Sequence, residues 1–562
     1  MTASTSLPPV ASPVASPHRP WPVRPFPFWA LLLGAYPVLF LFAENIAEVH
    51  LRDVVPPLGR GLILAPLLLL AASLVLRDLR RGAFVSGALL VAWFGYGHVA
   101  ELAAPAGVAR EVLLAGWALF LVVAILGAVL LRERWVARIT SALDVIVGIL
   151  VILVLIQVVP VEVSRSVSAA EAPARSELAR PSPAPGSRDV WYFVFDRYGS
   201  ETSLQALGGI DSDLPEWLTA QGFQVARNAH ANYGRTAMSM AATLNLAFLE
   251  DMATTMGPDS RDMAPVNDQL QDHLVGRFFQ ERGYRYVHLG NWFGATKTAR
   301  IADENPTLDS ATDFDAILDR TTFAPTLASL RDLRDPPKHH VLHRSAGLFG
   351  LRELERIRTE PGPKFVLAHL LLPHEPYVFD EFGDYPTPEE RAARTLDEGF
   401  RRQLQFTDDH IKAFVTELLA VPEAERPIII LTADEGPYPD AYAANQASYD
   451  WATATTDELE TKYGILTAFL LPGETRPESL APYDTMTSIN TFPVALSHYW
   501  DGDWTLFPDR SWTSAGWYRP YDLTEVTDRL PPPAGSGAPP PRVAASPDPA
   551  ATPAPTPEGP GG

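Results

Sequence analysis

The chain has 562 residues, a formal net charge of -21 and no cysteine. Its hydrophobic content of 47% is unevenly spread along a length that exceeds one compact core, which predicts a membrane part and a soluble part. The acidic charge argues against a nucleic-acid-binding protein, because phosphate neutralisation needs clustered Lys and Arg. The lack of cysteine excludes disulfides, thiolate zinc sites and cysteine nucleophiles.

Five apolar runs with almost no internal charge occupy the first third of the chain. They extend from Phe26 to about Glu44, Leu62 to Leu76, Ala83 to Ala100, Val112 to Leu131 and Ile139 to Val159. Each is near the length that crosses the hydrocarbon core of a bilayer. We therefore predict an N-terminal tail over residues 1–24 and a bundle of about five transmembrane helices over residues 25–160.

The basic residues between the runs predict how the chain is oriented. They precede the first run and recur after the second and fourth runs, as Arg19, Arg24, Arg77, Arg80, Arg81, Arg132, Arg134 and Arg138. The positive-inside rule then predicts a cytoplasmic N-terminus in the cell (inner) membrane. With five spans, everything after Val159 lies outside the cytoplasm. There the chain meets lipid headgroups and envelope glycans, and no nucleotide cofactor is expected.

The second half of the chain predicts one large soluble domain. Residues 161–188, rich in Ser, Ala and Pro, predict a flexible linker, and residues 526–562 predict a disordered Pro-rich tail. Over residues 189–525 apolar runs alternate with amphipathic stretches, which favours an α/β domain with a largely parallel sheet. The strand candidates are Val190–Phe195, Tyr284–Leu289, Phe365–Leu372, Ile428–Thr432 and Ile465–Leu471.

Ionisable residues stand at the ends of three of these predicted strands. They are Asp196 in VFDRYG, His369 with His374 and Glu375 in AHLLLPHEPY, and Asp434 with Glu435 in LTADEG. Ligands of open α/β sheets collect at the carboxyl ends of strands. Carboxylates that converge there would repel each other without a cation between them. The pattern therefore predicts a metal site.

A Gly-containing turn that leads into a helix supplies hydroxyl groups. In HANYGRTAMSMAATLN the first helical turn carries Thr236 and Ser239. A helix N-terminus presents free N–H groups to a phosphate or sulfate, and a threonine oxygen beside a metal becomes a usable nucleophile. An ordinary N-cap for Thr236 and a packing position for Ser239 are the alternatives.

The order of VFDRYG, NYGRTAMSMAATLN, FVLAHLLLPHEPYVFD and IIILTADEG resembles the alkaline phosphatase and sulfatase superfamily. It is most similar to the membrane-anchored sulfatase-like branch, which includes lipoteichoic acid synthases and phosphoethanolamine transferases. Those families also join five spans to an extracytoplasmic catalytic domain. The resemblance implies that Asp196 is a metal ligand, Thr236 the metal-bound nucleophile, Asp434 a further ligand and His374 a residue that holds the substrate anion.

One departure from the family pattern concerns the metal. The usual Asp-His-Gly is Asp434-Glu435-Gly436 here. With Asp196, Thr236, Asp434 and Glu435 as ligands the coordination would be all oxygen, which favours Mn, Mg or Ca over Zn. A second departure is that no Cys/Ser-x-Pro-x-Arg follows the first strand, which argues against a formylglycine sulfatase.

Other polar residues have weaker assignments. Asn232 and Arg235, near the nucleophile turn, are candidate substrate-binding residues. His288 is interpreted as a satisfied core histidine. Asp408 and its neighbours are interpreted as the solvated face of a long helix.

Two functional hypotheses follow from these residues. The first is a membrane-bound, metal-dependent hydrolase or transferase that acts on phospho- or sulfo-esters of envelope lipids or glycans through Thr236. The alternative is a degenerate, non-catalytic member of the superfamily that serves as an envelope binding or assembly protein. The replacement of the usual histidine by Glu435 keeps this alternative open.

Overall fold

The computed structural model describes residues 26–46, 49, 51–103, 106–171, 181–184, 186–308, 313–330, 337–446, 448–473 and 476–531. The predicted N-terminal tail and the part of the Pro-rich tail after Pro531 lie outside these residues. The chain forms two compact units, which are Met1–Phe40 with Leu58–Ile156, and Leu41–Pro57 with Gln157–Gly562.

The N-terminal third of the chain is helical. Its helices are α1 Phe28–Leu32, α2 Tyr36–Glu44, α3 Leu51–Leu76, α4 Leu79–Ala103, α5 Arg110–Leu130 and α6 Glu133–Glu171. Within the described residues, the four helices α3 to α6 are long and apolar enough to cross a membrane. The protein is therefore a membrane protein with transmembrane helices.

The first predicted span differs from the expectation of a single helix. Residues 26–44 contain the two short helices α1 and α2, separated by a turn at residues 33–35. The break lies just before Pro37, and a proline is tolerated in the first turn of a helix but not in its interior. Four long apolar helices are found in the described part of the chain, where the sequence predicted about five.

The start of the predicted linker also differs from the expectation. Helix α6 continues through Glu171, so residues 161–171 are helical. The Ser- and Ala-rich composition of this stretch concealed the helix, because it has no apolar period beyond Val163.

A six-stranded sheet forms the centre of the soluble unit. Its strands are β1 Val190–Phe195, β2 Gln224–Val225, β3 Arg285–Leu289, β4 Lys364–Leu370, β5 Ile428–Thr432 and β6 Thr467–Leu470, in the order β2-β6-β5-β1-β4-β3. The four strands β3, β4, β1 and β5 run parallel to one another. Strand β6 pairs antiparallel with β5 on one side and with β2 on the other. The predicted α/β domain with a largely parallel sheet is confirmed.

Within the residues that the structure describes, the soluble unit also contains fourteen α-helices and, after the last of them in the chain, a small β-hairpin. The helices are α7 Glu201–Gly208, α8 Leu214–Ala220, α9 Thr236–Asn245, α10 Glu250–Met256, α11 Ala264–Gln271, α12 Leu274–Gln280, α13 Asp313–Thr321, α14 Ala324–Leu330, α15 Lys338–Arg358, α16 Pro388–Ala393, α17 Leu396–Leu419, α18 Asp440–Ala444, α19 Thr456–Tyr463 and α20 Thr491–Ser497. The hairpin pairs β7 Trp512–Ser514 with β8 Leu523–Glu525.

The hydrophobic core explains why the central strands were visible in the sequence. Every residue of β1, β4 and β5 is buried. Strands that are covered on both faces appear as continuous apolar runs rather than as alternating patterns. The five predicted strands are all present, and β2, β7 and β8 were missed because each has only two or three residues.

Candidate metal and nucleophile site

Three adjacent parallel strands bring a cluster of ionisable side chains together at their carboxyl ends. Asp196 directly follows β1, and Asp434 comes two residues after the end of β5. His369 is the last residue but one of β4. In the sheet register Val194 is opposite both His369 and Thr432, so Asp196 and Asp434 are level with each other and His369 lies two residues earlier along its strand. This is the edge at which ligands of α/β sheets bind.

The geometry of this cluster fits a metal ion. One ligand atom from each of Asp196, His369 and Asp434 lies within 4.8 Å of the others, and all three residues are buried. Among the described residues, Asp196 Oδ1, His369 Nε2 and Asp434 Oδ2 are buried without a hydrogen-bond partner. Two buried carboxylates this close require a compensating cation, and the unpartnered atoms are the donors that it would bind.

Burial and the neighbouring carboxylate act on the protonation of this cluster. Burial is the larger effect and the Asp196 carboxylate the next, and together they raise the pKa of Asp434. A divalent ion would reverse this shift, because it stabilises both carboxylates in the charged form.

Hydrogen bonds to residues outside the cluster hold His369 in place. Its Nδ1 lies 2.8 Å from Thr296 Oγ1, and Asn291 Nδ2 donates to the His369 carbonyl oxygen at 2.9 Å. In the tautomer in which Nδ1–H donates to Thr296, Nε2 keeps its lone pair and faces Asp196 Oδ2 at 3.3 Å. Metal-binding histidines are commonly oriented by such a contact on the other ring nitrogen.

Thr236 stands beside the same cluster. It is the first residue of α9, it is half-buried, and its hydroxyl is close enough to the Asp434 carboxylate to oppose the rise in the pKa of Asp434. The preceding Arg235 is the N-cap residue and makes no side-chain capping bond. Thr236 is therefore at a helix N-terminus and beside a candidate ligand, and its role as nucleophile stays a prediction.

A cavity of about 110 Å³ opens above Thr236 and Asp196. Its lining includes Arg197, Arg235, His374 and Glu435, together with the aromatic residues Trp292, Phe293 and Trp517. Arg235 donates to the carbonyl oxygens of Gly516 and Trp517, and it lies over the Trp517 ring at 4.8 Å. It thereby attaches the β7–β8 connection to the rim of the cavity.

His374 lines this cavity, and its role in holding the substrate anion stays a prediction. Burial, followed by the positive charge of Arg197, lowers its pKa well below the usual value, so the ring is neutral at pH 7. Gln403 Nε2 donates to the His374 carbonyl oxygen at 2.7 Å and fixes the backbone of this segment.

Glu435, predicted as a metal ligand, is directed elsewhere. Its carboxylate oxygens lie 2.7 Å from Lys462 Nζ and 3.5 Å from Arg197 Nε. Burial is the main cause that raises the pKa of Glu435 and lowers that of Lys462 to about 8, while each charge favours the ionised form of the other. The group that could hold a metal ion contains an imidazole from a different strand, that of His369.

The glycine at position 436 explains how the backbone at Lys462 comes so close to the segment that carries Glu435. A Cβ at this position would overlap the carbonyl oxygens of Thr461 and Gly464, and Gly436 N–H donates to the Lys462 carbonyl at 2.8 Å. Only glycine permits this approach of two backbone segments.

Asn232, predicted to bind substrate, is a structural residue. It is fully buried; its Nδ2 donates to the Arg510 carbonyl at 2.7 Å, and its Oδ1 accepts from Ser488 Oγ and Ile489 N–H, each at 2.7 Å. These bonds hold the turn before α9 against the last part of the domain.

Two further interpretations have different outcomes. His288 is buried between the Tyr286 hydroxyl and the Thr296 carbonyl, as expected of a core histidine. Asp408 is not solvated: it is 2% exposed and accepts hydrogen bonds from Tyr198 and Ser212. Helix α17 directs the Asp408 carboxylate inward, where the two hydroxyls satisfy it.

Comparison with known proteins places this domain. A profile of the family described as Sulfatase matches residues 188–467. No curated protein matches the chain in sequence.

Three solved structures illustrate the structural likeness. The C-terminal periplasmic domain of EcEptC from Escherichia coli is 13% identical, covers 63% of this chain and 98% of its own, and has a TM-score of 0.38. The lipooligosaccharide phosphoethanolamine transferase A from Neisseria meningitidis is 13% identical, covers 84% and 94%, and has a TM-score of 0.35. A protein in the alkaline phosphatase superfamily from Vibrio parahaemolyticus is 14% identical, covers 59% and 74%, and has a TM-score of 0.35.

The TM-scores are below 0.5, so the assignment depends on the family profile and on the strand-end motifs. Residues 188–467 therefore form a sulfatase-like domain of the alkaline phosphatase and sulfatase superfamily.

Proposed function

We propose that this protein is a membrane-bound, metal-dependent enzyme that cleaves or transfers phospho- or sulfo-ester groups of envelope lipids or glycans. Thr236 is the nucleophile in this proposal. The observation that carries it is the meeting of three unpartnered buried ligand atoms with the Thr236 hydroxyl at the floor of a cavity.

The ligands in this proposal are Asp196, His369, Asp434 and Thr236, without Glu435. Three oxygen ligands and one imidazole suit Mn²⁺ or Zn²⁺ better than Mg²⁺ or Ca²⁺, which prefer oxygen alone. This set revises the expectation of an all-oxygen site. When bound, the divalent ion supplies positive charge that favours the ionised form of the Thr236 hydroxyl.

The residues of the chain have separate tasks in the reaction. The Asp434 carboxylate, beside the Thr236 hydroxyl, orients it for attack. Thr236 Oγ1 forms a bond to the phosphorus or sulfur as the ester oxygen leaves, and the leaving alcohol takes up the proton that Thr236 gives up. Water or an acceptor alcohol then attacks the same centre, releases Thr236 and returns a proton to it. Attack by water makes the enzyme a hydrolase, and attack by an alcohol makes it a transferase.

The membrane helices support a catalytic domain outside the cytoplasm. Several Arg residues lie in the connections α3–α4 and α5–α6 and in the first turns of the helices that follow, so the positive-inside rule assigns both connections to the cytoplasm. The end of α6 then emerges on the outer side, whether or not residues 26–44 cross the membrane. The side of the N-terminus does depend on residues 26–44.

Single cysteines test this orientation, because the natural chain has none. In spheroplasts, we expect a membrane-impermeant maleimide to label Glu478→Cys, which is exposed in the soluble unit, and not Trp135→Cys, which is exposed at the start of α6. Labelling of Thr2→Cys reports whether residues 26–44 cross. Labelling of Trp135→Cys together with protection of Glu478→Cys would refute the proposed orientation.

Ester cleavage by the full chain in detergent tests the enzymatic proposal. Nitrophenyl phosphate, bis-nitrophenyl phosphate and nitrophenyl sulfate are offered with Mn²⁺, Zn²⁺, Mg²⁺ or Ca²⁺. We expect nitrophenol release that is lost on chelation and restored best by Mn²⁺ or Zn²⁺. Metal binding without turnover, even with phospholipid and an acceptor glycan present, would favour the non-catalytic alternative. The absence of both metal binding and turnover would contradict the proposal.

A further inference from the structure

A buried arginine follows the first candidate ligand directly. Arg197 has a left-handed backbone, with φ of 63°, which is uncommon for a residue with a side chain. Its side chain is 9% exposed, and its guanidinium stacks on the Tyr438 ring at 3.3 Å. Strain of this kind persists where the surroundings fix it, and it is commonly found at functional sites.

The contacts of Arg197 leave part of its donor capacity unused. Its Nη1 is 3.3 Å from Glu375 Oε1 and its Nε is 3.5 Å from Glu435 Oε1. Among the described residues, Nε is buried without a hydrogen-bond partner. A buried guanidinium is stabilised when an anion accepts from these donors.

The local charges also leave room for an anion. Glu435 is shared between Arg197 and Lys462, and it lies closer to Lys462, at 2.7 Å. Glu375 is one-third exposed, so solvent screens its charge. The Asp196 carboxylate is also 4.0 Å from Arg197 Nε, but a divalent ion bound to Asp196 would compensate its charge. With that ion bound Arg197 is only partly neutralised, and it lines the same cavity as Thr236.

Helix α9 adds donors on the same cavity. Thr236 and Ala237 begin this ten-residue helix and line the cavity, and the N-cap side chain makes no capping bond. The first N–H groups of a helix have no acceptor within the helix, and they bind anions when no side chain caps them.

We propose that Arg197 and the N-terminus of α9 form a subsite that binds the non-bridging oxygens of a tetrahedral oxyanion beside Thr236, and that Glu435 positions Arg197 there. The inference rests on the proposed function and names the part of the site that would hold the transferred group. Arg197 contacts the substrate, whereas Glu435 acts only through Arg197 and Lys462.

This assignment gives a physical reason for the Asp434-Glu435-Gly436 sequence. A neutral imidazole at position 435 would remove the carboxylate 2.7 Å from the buried Lys462 ammonium and one of the carboxylates near Arg197. A carboxylate pairs with both, so a position that provides a metal ligand in relatives serves here to hold two cations. An uncompensated buried charge of this kind is strongly destabilising.

Binding of inorganic phosphate and of inorganic sulfate to the metal-loaded full chain tests the proposal by calorimetry. We expect Arg197→Gln to weaken binding of the preferred anion about ten- to a hundredfold, because it removes charge-assisted hydrogen bonds. Arg227→Gln is the matched control, since Arg227 also pairs with two glutamates but is exposed. Metal content is measured in every variant.

Two further variants separate contact from position. Arg197→Lys keeps the charge but loses the planar fork, so we expect a several-fold loss of affinity. Glu435→Gln keeps the shape but frees Arg197, so we expect a smaller loss than in Arg197→Gln, together with a rise in KM that exceeds the fall in kcat. A purely structural Glu435 would lower the melting temperature without changing the anion affinity.

The outcomes decide the proposal separately from the enzymatic one. Wild-type phosphate and sulfate affinity in both Arg197 variants, with metal retained, would overturn it. If Arg197→Gln does not retain metal, the affinity of Arg197→Lys decides. Because anion binding needs no turnover, failure of the ester assay with intact, Arg197-dependent phosphate binding would refute the enzyme and leave the subsite.

Discussion

Replacing Thr236 by Ala is expected to lower metal-dependent ester turnover about a thousandfold or more. The change removes the only atom that forms the proposed covalent bond, and enzymes that lose their nucleophile commonly lose at least this factor. Steady-state release of nitrophenol, normalised to bound metal, measures the effect. The melting temperature should change little, because Thr236 is half-buried and its methyl group is small.

Two control variants make this result specific. Thr236→Ser keeps a hydroxyl at the same place and should retain activity within about tenfold, given a primary alcohol of similar reactivity. Thr243→Ala lies on the same helix, where its hydroxyl donates only to the Ser239 carbonyl, and it should leave the rate unchanged. Full activity in Thr236→Ala would remove Thr236 from the mechanism.

Replacing His369 by Gln is expected to weaken metal binding by more than about a hundredfold. Loss of a hydrogen-bond partner that orients a metal ligand already lowers metal affinity about ten- to a hundredfold, so loss of the ligand itself should lower it more. Glu435→Gln should leave metal affinity within a few-fold, because the Glu435 carboxylate is directed to Lys462 and Arg197. Competition titration with a chromogenic chelator measures both.

His288→Gln is the matched control for this experiment. His288 is also a buried imidazole, on the strand next to β4, but its hydrogen bonds go to Tyr286 and the Thr296 carbonyl. The His288→Gln substitution should lower the stability of the protein, but it should lower metal affinity less than His369→Gln does. Metal loss in Glu435→Gln, with wild-type binding in His369→Gln, would show that the residue after Asp434 is the ligand after all.

The contrast between His369 and Glu435 shows where sequence analysis reaches its limit. Glu435 is adjacent to Asp434 and stands where the family has a ligand, so local sequence favours it. His369 lies 65 positions before Asp434 in the chain, and only the register that pairs Val194 with both His369 and Thr432 brings it to Asp196. Strand order and register are set by packing of the whole domain.

Asn232 and Asp408 illustrate the same limit for polar residues. Both were assigned by their neighbours in sequence, one to the substrate and one to solvent. In the structure, Asn232 bonds to residues around 488 and 510, and Asp408 bonds to Tyr198 and Ser212. Whether a polar side chain is satisfied inside the protein depends on partners that are distant along the chain.

The sequence by itself determined the membrane helices α3 to α6, the central strands and the strand-end acids Asp196 and Asp434. These depend on local apolar runs, whose length and burial leave a direct trace in composition. Only the tertiary structure decided that His369 joins the acids, that Glu435 holds Lys462 and Arg197, and that residues 26–44 form two helices. Those outcomes depend on strand register, on the pairing of buried charges and on a break before Pro37, which no single stretch of the chain specifies.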